Sequence, residues 1–597
     1  MTRKTYSLAV RRLPGGDRPG QYLTLDDSDG IGEIYLGLAK SSTVVVAASD
    51  ASAEVREWAD YVCDGIADNV EIQAAIAALP AGGGKVVLSE GTFTVIAQIT
   101  PVSGITIEGQ GWSTILKIAD NTDGLNGVIG DATDGSVGNW AARNLHIDGN
   151  KANQVSANDF RGVNLYGDRV RVENLYVHDI KNQDGIIINR YSTGAIVKDC
   201  LVTDCDDMGY EIIDGAADAL IVDCVGSGNA NFNFSIHSHI GTAACVRCAI
   251  VNGISVNSGN KGFRIGGFAG LESVGCSLVN CKDTGAASNG IQVTLAYDSV
   301  VADCYSDSLI SSESTSARTS FIGCKSSGAG FSIYGRYDTL AGCSVNGGVV
   351  TIYGDHVSVN GLTHNGTNGV NNFGIAIFNG ANYCTVNGCT VYGEDAGARY
   401  GIWLRGAQNC SIVGNTVEGW TGSGIRLNTQ SAVNPTGNVI SGNRVEGCGI
   451  GISEEASGDN NLIQGNDVTG NTTPLAFVGA STLARNNKGS LVDGKIADPG
   501  NAEAIPVVKS GWVPLVTAGA ETRTLAAPSL VGQELTLYCK TFVGNCVVTC
   551  ATTVNEAGNN TITFSATGQA CCLYAVEEGS NLRWRLASVD GATLSTV

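Results

Sequence analysis

Positive charge is scarce in this chain of 597 residues: 36 Lys and Arg stand against 57 Asp and Glu, a formal net charge of −21. That balance disfavours general electrostatic affinity for nucleic acid or an anionic membrane surface. Long apolar runs are also missing, so no stretch reads as a membrane span. The opening MTRKTYSLAVRRLPGG has no apolar segment of the secretory type, so the expectation is synthesis in a cytosol without a signal peptide. Metal-ligand patterns are thin as well. Cys245 and Cys248 resemble half a zinc site with no second half, and His237 and His239 lie two apart on one face with no third ligand, which suits a surface pair. No metal and no cofactor is expected. Proline is low at 10, while glycine reaches 80 without a collagen period, a composition that suits many turns between short strands.

What is present is a repeat. From about Asn144 to Asn466 an apolar alternation runs into Asn or Cys and then another apolar residue. It reads RVENLYV around Asn174, IVKDCLV around Cys200, LIVDCV around Cys224 and VGCSLV around Cys276. Later copies mark Cys304, Cys324, Cys343, Cys389, Asn415, Asn443 and Asn466. Each has a partner segment, usually of the form Gly, apolar, variable, apolar, as in GYEI at Gly209, GFRI at Gly262, GIWL at Gly401 and GIRL at Gly424. Period two inside a repeat of roughly 25 residues means strands stacked coil on coil, because no single copy can bury its apolar face alone. The predicted fold is all-β, a right-handed parallel β-helix. The Asn and Cys marker is expected to point inward at a corner, which makes most of the 20 cysteines a buried thiol ladder rather than disulfides.

Residues 1–47 do not share the repeat and read as either a loosely packed arm or a small attachment module. Next, SDASAEVREWAD looks helical, and in CDGIADNVEIQAAIAALP the pair Asp68 and Glu71 has the spacing of a helix cap. Val70, Ile72, Ala75, Ile76 and Leu79 would form the apolar face of an N-terminal amphipathic helix, stopped by Pro80, that covers the open end of the β-helix. After residue 490 the strands lengthen (GQELTLYCK, NCVVTCAT, NTITFSA, NLRWRLAS), which predicts an antiparallel β-sandwich over 491–597.

The run DGIADNVEIQAAIAAL, GGGKVVLSEGTFTV and GITIEGQGWSTIL resembles the opening of the pectate-lyase-like right-handed β-helix superfamily, over roughly residues 48–490. That superfamily includes phage tailspikes and other polysaccharide-processing proteins. The resemblance implies the fold and leaves the reaction open, since the same opening serves lyases, hydrolases, epimerases and non-catalytic proteins. The segment TAGAETRTL…GQELTLY…NTITF…LRWRL resembles a C-terminal domain of phage appendage proteins, where it trimerises. Together these features resemble a tailspike. They imply a homotrimer in a virion, attached to phage tail or head proteins through its N-terminus and binding a bacterial surface polysaccharide. A non-catalytic fibre adhesin and a cellular lyase or epimerase are the alternatives.

Stacking the glycine-led strands puts alternate residues on one outward face. One column contains Ile187, Glu211, Ser235, Arg264, Gln292, Ser332, Thr351, Ala376, Trp403 and Arg426. A second contains Asn189, Ile213, His237, Gly266, Thr294, Tyr334, Tyr353, Phe378, Arg405 and Asn428. Arg264 and His237 at one end, with Tyr334, Tyr353, Phe378, Trp403, Arg405 and Arg426 at the other, are the candidate substrate-binding residues. The same aromatics could instead pack against a subunit or loop. For glycosidic cleavage two carboxyl groups must flank the bond, one protonated and one ionised. Glu211 is the first candidate, with Asp207 and Asp184 beside it. Structural pairing of Glu211 with Arg264 and of Asp214 with Arg190 is the competing explanation, and retention or inversion is left open.

Overall fold

Each coil turns its corners on residues held at positive φ, where L side chains other than Asn and Asp are disfavoured and glycine is free. Asp199 (φ 54°) and Asp223 (φ 56°) do this ahead of Cys200 and Cys224, and Gly414 (φ 65°) and Gly442 (φ 64°) ahead of Asn415 and Asn443. The computed structural model describes residues 42–597 apart from 132, 155–158, 240–242, 367–372, 394–398, 456–457, 477–480, 490–493, 508–509, 529–530 and 580. Three strands nearer the N-terminus, Ser7–Arg11, Tyr22–Asp27 and Gly30–Tyr35, form an antiparallel sheet. The chain is a right-handed parallel β-helix with additional sandwich sheets, and it divides into two compact units, Met1–Ser288 and Asn289–Val597.

In the first unit the strands Val163–Leu165, Ile186–Ile188, Tyr210–Ile213, Phe232–His237 and Lys261–Ile265 pair in parallel, each with the next. Glycine precedes the strands at Val163, Ile186 and Tyr210, because the backbone there passes close to the opposite wall, and Asn233 and Gly262 take the equivalent place within the next two strands. A Cβ on Gly185 would lie 2.3 Å from Val202 Cγ1 and 2.8 Å from the carbonyl oxygen of Gly209. The helix Asn69–Ala78 packs on the strands Thr43–Ala47 and Gly84–Leu88 through Ile72, Ala75 and Ile76. Two expectations about it fail. Asp68 does not cap the helix: its carboxylate accepts the Gly65 N–H at 2.8 Å and the Thr94 N–H at 2.7 Å, tying the first turn to the strand Gly91–Val95. Val70 is 57% exposed and is not part of the apolar face.

The marker column also needs correcting. Asn144 and Asn174 occupy the left-handed turn position itself (φ 57° and 53°), and the inward residues are Leu145 and Leu175. Register places Leu175 against Cys200, Cys224 against Gly253, and Gly253 against Cys281. Cys248 and Cys276 stand on a different corner, aligned with Ala219. Two corners read alike because both need a left-handed residue followed by a small buried one. None of the described cysteines forms a disulfide, and those on both corners are buried.

In the second unit the long sheet runs through Asn289–Val293, Leu309–Ser312, Gly330–Ile333, Val349–Ile352, Phe373–Ile377, Tyr400–Arg405, Ser423–Asn428 and Ile450–Glu454, again in parallel. Its corner column passes from Cys389 to Asn415, Asn443, Asn466 and Asn487. Each of Asn415, Asn443 and Asn466 donates both its backbone N–H and its Nδ2 to the Oδ1 of the next, at 2.8–3.0 Å. The C-terminal sheets differ from the antiparallel sandwich predicted. In one, Gly494–Lys495, Gly511–Val516 and Glu534–Thr541 pair in parallel before Ala570–Glu578 and Asn581–Asp590 add antiparallel. In the other, Glu503–Ile505, Glu521–Leu525 and Cys546–Cys550 are parallel and the last two strands antiparallel. Between the two lies an apolar core containing Leu537, Val548, Phe564 and Trp584. Strand alternation is the same in parallel and antiparallel pairing, so the sequence pattern did not distinguish them.

Candidate functional site

The acid-rich segment DCDDMGYEIIDG turns a corner and enters the strand Tyr210–Ile213. Glu211 aligns with Ile187 on one side and Ser235 on the other, and Ser235 aligns with Arg264. Ile213 aligns with His237. The expected columns are in register here, but this stretch is not an open floor. Glu211 and His237 are each 3% exposed and Ser235 is fully buried.

Glu211 is the centre of a polar cluster. Its Oε1 lies 3.3 Å from Nε2 of His237, and its carboxyl hydrogen-bonds that of Asp184 from the preceding coil. Asp184 accepts the Met208 N–H at 3.1 Å, and its other oxygen lies 4.0 Å from Nε of Arg161. Arg161 is positioned by Gln183 at 3.0 Å and Asn126 at 3.3 Å. Asp207 is half-buried and accepts from Asn231 Nδ2 at 2.9 Å. His237 places Nδ1 3.0 Å from Ser235 Oγ, and its Nε2 is also 3.3 Å from Nε2 of the exposed His239. The two histidines are therefore not a surface pair.

The electrostatics separate the groups. Burial, followed by the negative charge of Asp184 and Asp207, pushes the Glu211 carboxyl well above its ordinary range. Burial and Asp207 push Asp184 up to about 7. Burial, then Arg264 and His239, hold His237 well below the usual imidazole value. Near neutral pH the cluster therefore has a protonated Glu211, an Asp184 at its titration point and a neutral His237, a set able to give a proton and take one.

Arg264 does not pair with Glu211. Among the described residues no carboxylate lies within ion-pair distance of it, and its guanidinium carbon sits 5.4 Å from the Phe232 ring. It occupies space that glycine leaves: a Cβ on Gly266 would fall 2.7 Å from Arg264 Nε. Asp214 accepts the His239 N–H at 2.7 Å, a partner the pairing with Arg190 had not anticipated.

In the second unit the predicted strip assembles as a stack. Tyr334 and Tyr353 rings lie 4.3 Å apart and nearly parallel, and Tyr353 and Phe378 lie 4.4 Å apart. Arg405 continues it, 4.7 Å over Phe378 and 4.2 Å over Trp403. Arg426 lies 4.2 Å over Tyr400 and pairs with Glu455 at 2.6 Å, while Trp403 Nε1 donates to Asn428 at 2.6 Å. Ring faces are thus largely spent on one another and on guanidinium groups. Phe378 is only 9% exposed, whereas Tyr334 is 37% exposed. Burial lowers the pKa of Arg405.

Two features escaped the sequence. Arg161 precedes Gly162 as Asp184 precedes Gly185, and the phrase GVNL at Gly162 fits the glycine-led pattern and would have revealed it. The coil carrying Leu309–Ser312 lacks the leading glycine, so Ser311 and Glu313 were missed between the rungs of Gln292 and Ser332. Glu313 accepts from Gln292 Nε2 at 2.8 Å. Two groups among the described residues bring three possible metal ligands together: Cys63, Asp68 and Glu71, and Asp148, His178 and Asp179. Neither includes Glu211. No described helix is long and apolar enough to cross a membrane.

Residues 339–501 match a family model described as periplasmic copper-binding protein (NosD). A stretch of 107 residues is 36% identical to mannuronan C5-epimerase AlgE6 of Azotobacter vinelandii, covering 16% of this chain and 12% of that protein's length. Among solved structures, the A-module of the A. vinelandii mannuronan C-5 epimerase AlgE4 is 16% identical with a TM-score of 0.38, over 73% of this chain and 99% of that one. Tailspike protein 3 of bacteriophage CBA120 is 12% identical with a TM-score of 0.31, over 79% of this chain and 66% of that one.

Proposed function

We propose that this chain is a bacteriophage tailspike, a homotrimer in the virion that binds and cleaves a bacterial surface polysaccharide. Residues 1–47 would attach it to tail or head proteins, 48–490 would carry the glycan sites and 491–597 would hold the trimer. The observation that carries the enzymatic part is the hydrogen-bonded pair Asp184 and Glu211 beside neutral His237. Glu211, kept protonated by burial, protonates the glycosidic oxygen. The second carboxyl group, on Asp184 or Asp207, takes the proton of the attacking water or supports the developing positive charge at the anomeric carbon. Arg161 favours the ionised form of Asp184. Arg264, lacking a carboxylate partner, suits a sugar that brings a carboxylate of its own.

A second reading rests on a specific observation: Glu211 is only 3% exposed, so a polymer reaches it only if the covering residues move. An adhesin that holds glycan without cutting it would need no such access. Incubation with a panel of host capsules and O-antigens decides between them, with chain length followed by size-exclusion chromatography and binding by surface plasmon resonance. Shortening of one glycan supports the enzyme; binding without shortening replaces it with the adhesin; neither overturns both. Sedimentation equilibrium tests the trimer, and a stable monomer at micromolar concentration would refute it.

A further inference from the structure

In the second unit the aromatic stack has one open end, at Tyr334. The backbone ladder there runs one residue past the strands. Glu313 N–H bonds the Val293 carbonyl at 2.8 Å, Tyr334 N–H that of Ser312 at 2.9 Å, and Tyr353 N–H that of Ile333 at 2.7 Å. Glu313, Tyr334 and Tyr353 therefore follow one another on successive coils, about 4.8 Å apart. We propose that Tyr334 and Glu313 form a subsite for one uncharged pyranose residue, which lies on the free face of the tyrosine ring and donates its hydroxyls to the carboxylate. The proposal rests on the reading of this chain as a glycan-binding protein and names the class of sugar that one position takes.

Tyr334 is the exposed member of the stack. One face of its ring is covered by Tyr353, 4.3 Å away and tilted by only 6°. Among the described residues no ring and no guanidinium stacks on the other face, which looks along the coils toward Glu313. Glu313 does not fill that space. Its Oε1 accepts Gln292 Nε2 at 2.8 Å, so the side chain leans toward the coil before its own. The neighbouring column is low as well: Gln292 aligns with Ser311, Ser311 with Ser332, and Ser332 with Thr351. These hydroxyls are short and bonded in place, Ser332 to Thr351 at 2.7 Å and Ser311 to Asn289 at 2.7 Å. A free aromatic face beside a low polar floor fits a pyranose, whose apolar face covers the ring while its rim of hydroxyls meets the polar groups.

Charge decides the class of sugar. Among the described residues no basic side chain lies within ion-pair distance of Glu313, and Gln292 is the one side chain that bonds its carboxylate. The arginines nearest in sequence are committed elsewhere, Arg318 to Asp298 at 2.5 Å and Arg336 to Asp355 at 3.9 Å. A uronate on Tyr334 would set a second carboxylate against the first, and like charges at close range repel. The hydroxyls of an uncharged sugar donate to Glu313 instead, in charge-assisted bonds.

Saturation-transfer difference NMR on the full chain tests this with free methyl pyranosides as probes. The uncharged set is the methyl glycosides of glucose, galactose, mannose and N-acetylglucosamine, and the acidic set those of glucuronic and galacturonic acid. At least one uncharged glycoside is expected to receive saturation, through the protons of one ring face, and the uronates less. Tyr334→Ala should reduce that signal at least ~3-fold and Glu313→Gln by a similar factor, while Tyr334→Phe keeps it. Tyr337→Ala removes another exposed ring three residues on and should leave it unchanged. Saturation that survives Tyr334→Ala, an equal loss in Tyr337→Ala, or stronger saturation of the uronates would each overturn the subsite. So would a complete lack of saturation, and polymer binding by surface plasmon resonance then shows whether the glycan reading stands without it.

Discussion

Glu211 Oε1 and His237 Nε2 stand 3.3 Å apart, each side chain about 4% exposed. The protons in this cluster can be ordered from its partners. Asp184 accepts from Glu211, so the acid proton of Glu211 is directed there. His237 Nε2 faces both the Glu211 carboxyl and Nε2 of His239 at 3.3 Å, while its Nδ1 meets the Ser235 hydroxyl at 3.0 Å. Ser235, His237, Glu211 and Asp184 thus lie in one polar row, whose last carboxyl also accepts the Met208 N–H. Such a row holds a proton in the interior at neutral pH without burying an unpaired charge.

Replacement of Glu211 with Gln tests whether that proton is used. The amide keeps shape and most hydrogen bonding but cannot protonate a leaving group. Turnover on the cleaved glycan should fall at least ~100-fold while glycan binding stays within a few-fold of wild type. An unchanged cleavage rate would move the acid role to Asp184 or Asp207.

The Asp184 pair also makes stability depend on pH. An unfolded Asp titrates near 3.9, whereas the folded group is pushed up to about 7, so the native state binds the proton more tightly. This contribution is fully present below pH ~4 and is lost as pH rises toward about 7, with an upper limit of about 4 kcal/mol. His237 acts in the opposite sense: held neutral, it costs stability as pH falls below ~6.5. Urea midpoints across pH 4–8 should therefore show Asp184→Asn gaining on wild type as pH rises. Parallel curves for the two proteins would refute the raised carboxyl.

The repeat was legible because parallel stacking forces equivalent residues into columns, so Glu211 and Arg264 could be aligned by counting from their glycines and Ser235 from Asn233, which takes the glycine's place. Depth was not. The outward side of Tyr210–Ile213 is buried as fully as the inward side, and period two reports which face a residue is on, not what covers that face. The same limit explains the merged cysteine columns, since Cys224 and Cys276 satisfy identical local chemistry on different corners.

In the second unit Arg405 offers the clearest test of the aromatic stack. Its guanidinium lies over both Phe378 and Trp403, and its Nε is buried with no hydrogen-bond partner. Arg405→Ala removes a cationic lid worth about 0.5–2 kcal/mol. Glycan affinity should drop by roughly 2- to 30-fold, with kcat on any cleaved substrate unchanged. Wild-type affinity would assign the stack to packing alone.

The thiols give a chemical check of the corners. Burial pushes the Cys245 thiol up to about 12, and Cys200, Cys224, Cys304 and Cys343 are all buried and in no disulfide. Iodoacetamide should leave them unmodified in the native protein and label them after denaturation, because the reagent must reach the sulfur to alkylate it. Cross-linked cysteines in non-reducing mass spectrometry would contradict the ladder.

Asn443 carries the most exacting prediction. Its Oδ1 accepts two bonds from Asn415, its own N–H and Nδ2 bond Asn466, and Nδ2 also reaches the Ile412 carbonyl at 2.9 Å. Changing it to Ala leaves the Asn415 N–H buried without its acceptor and removes one of two acceptors from Asn415 Nδ2, which keeps the Val386 carbonyl at 2.9 Å, and an unsatisfied buried group costs about 1–3 kcal/mol. A loss of about 1–3 kcal/mol in urea unfolding is expected, larger than the cost of an ordinary surface change. Asn443→Asp should be intermediate: the carboxylate still accepts both Asn415 bonds, but it cannot donate to Asn466 or Ile412 and brings a buried charge. If Asn443→Ala unfolds at the wild-type urea concentration, the ladder only accompanies the stacking of coils. Their cohesion would then come from the apolar columns on either side of it.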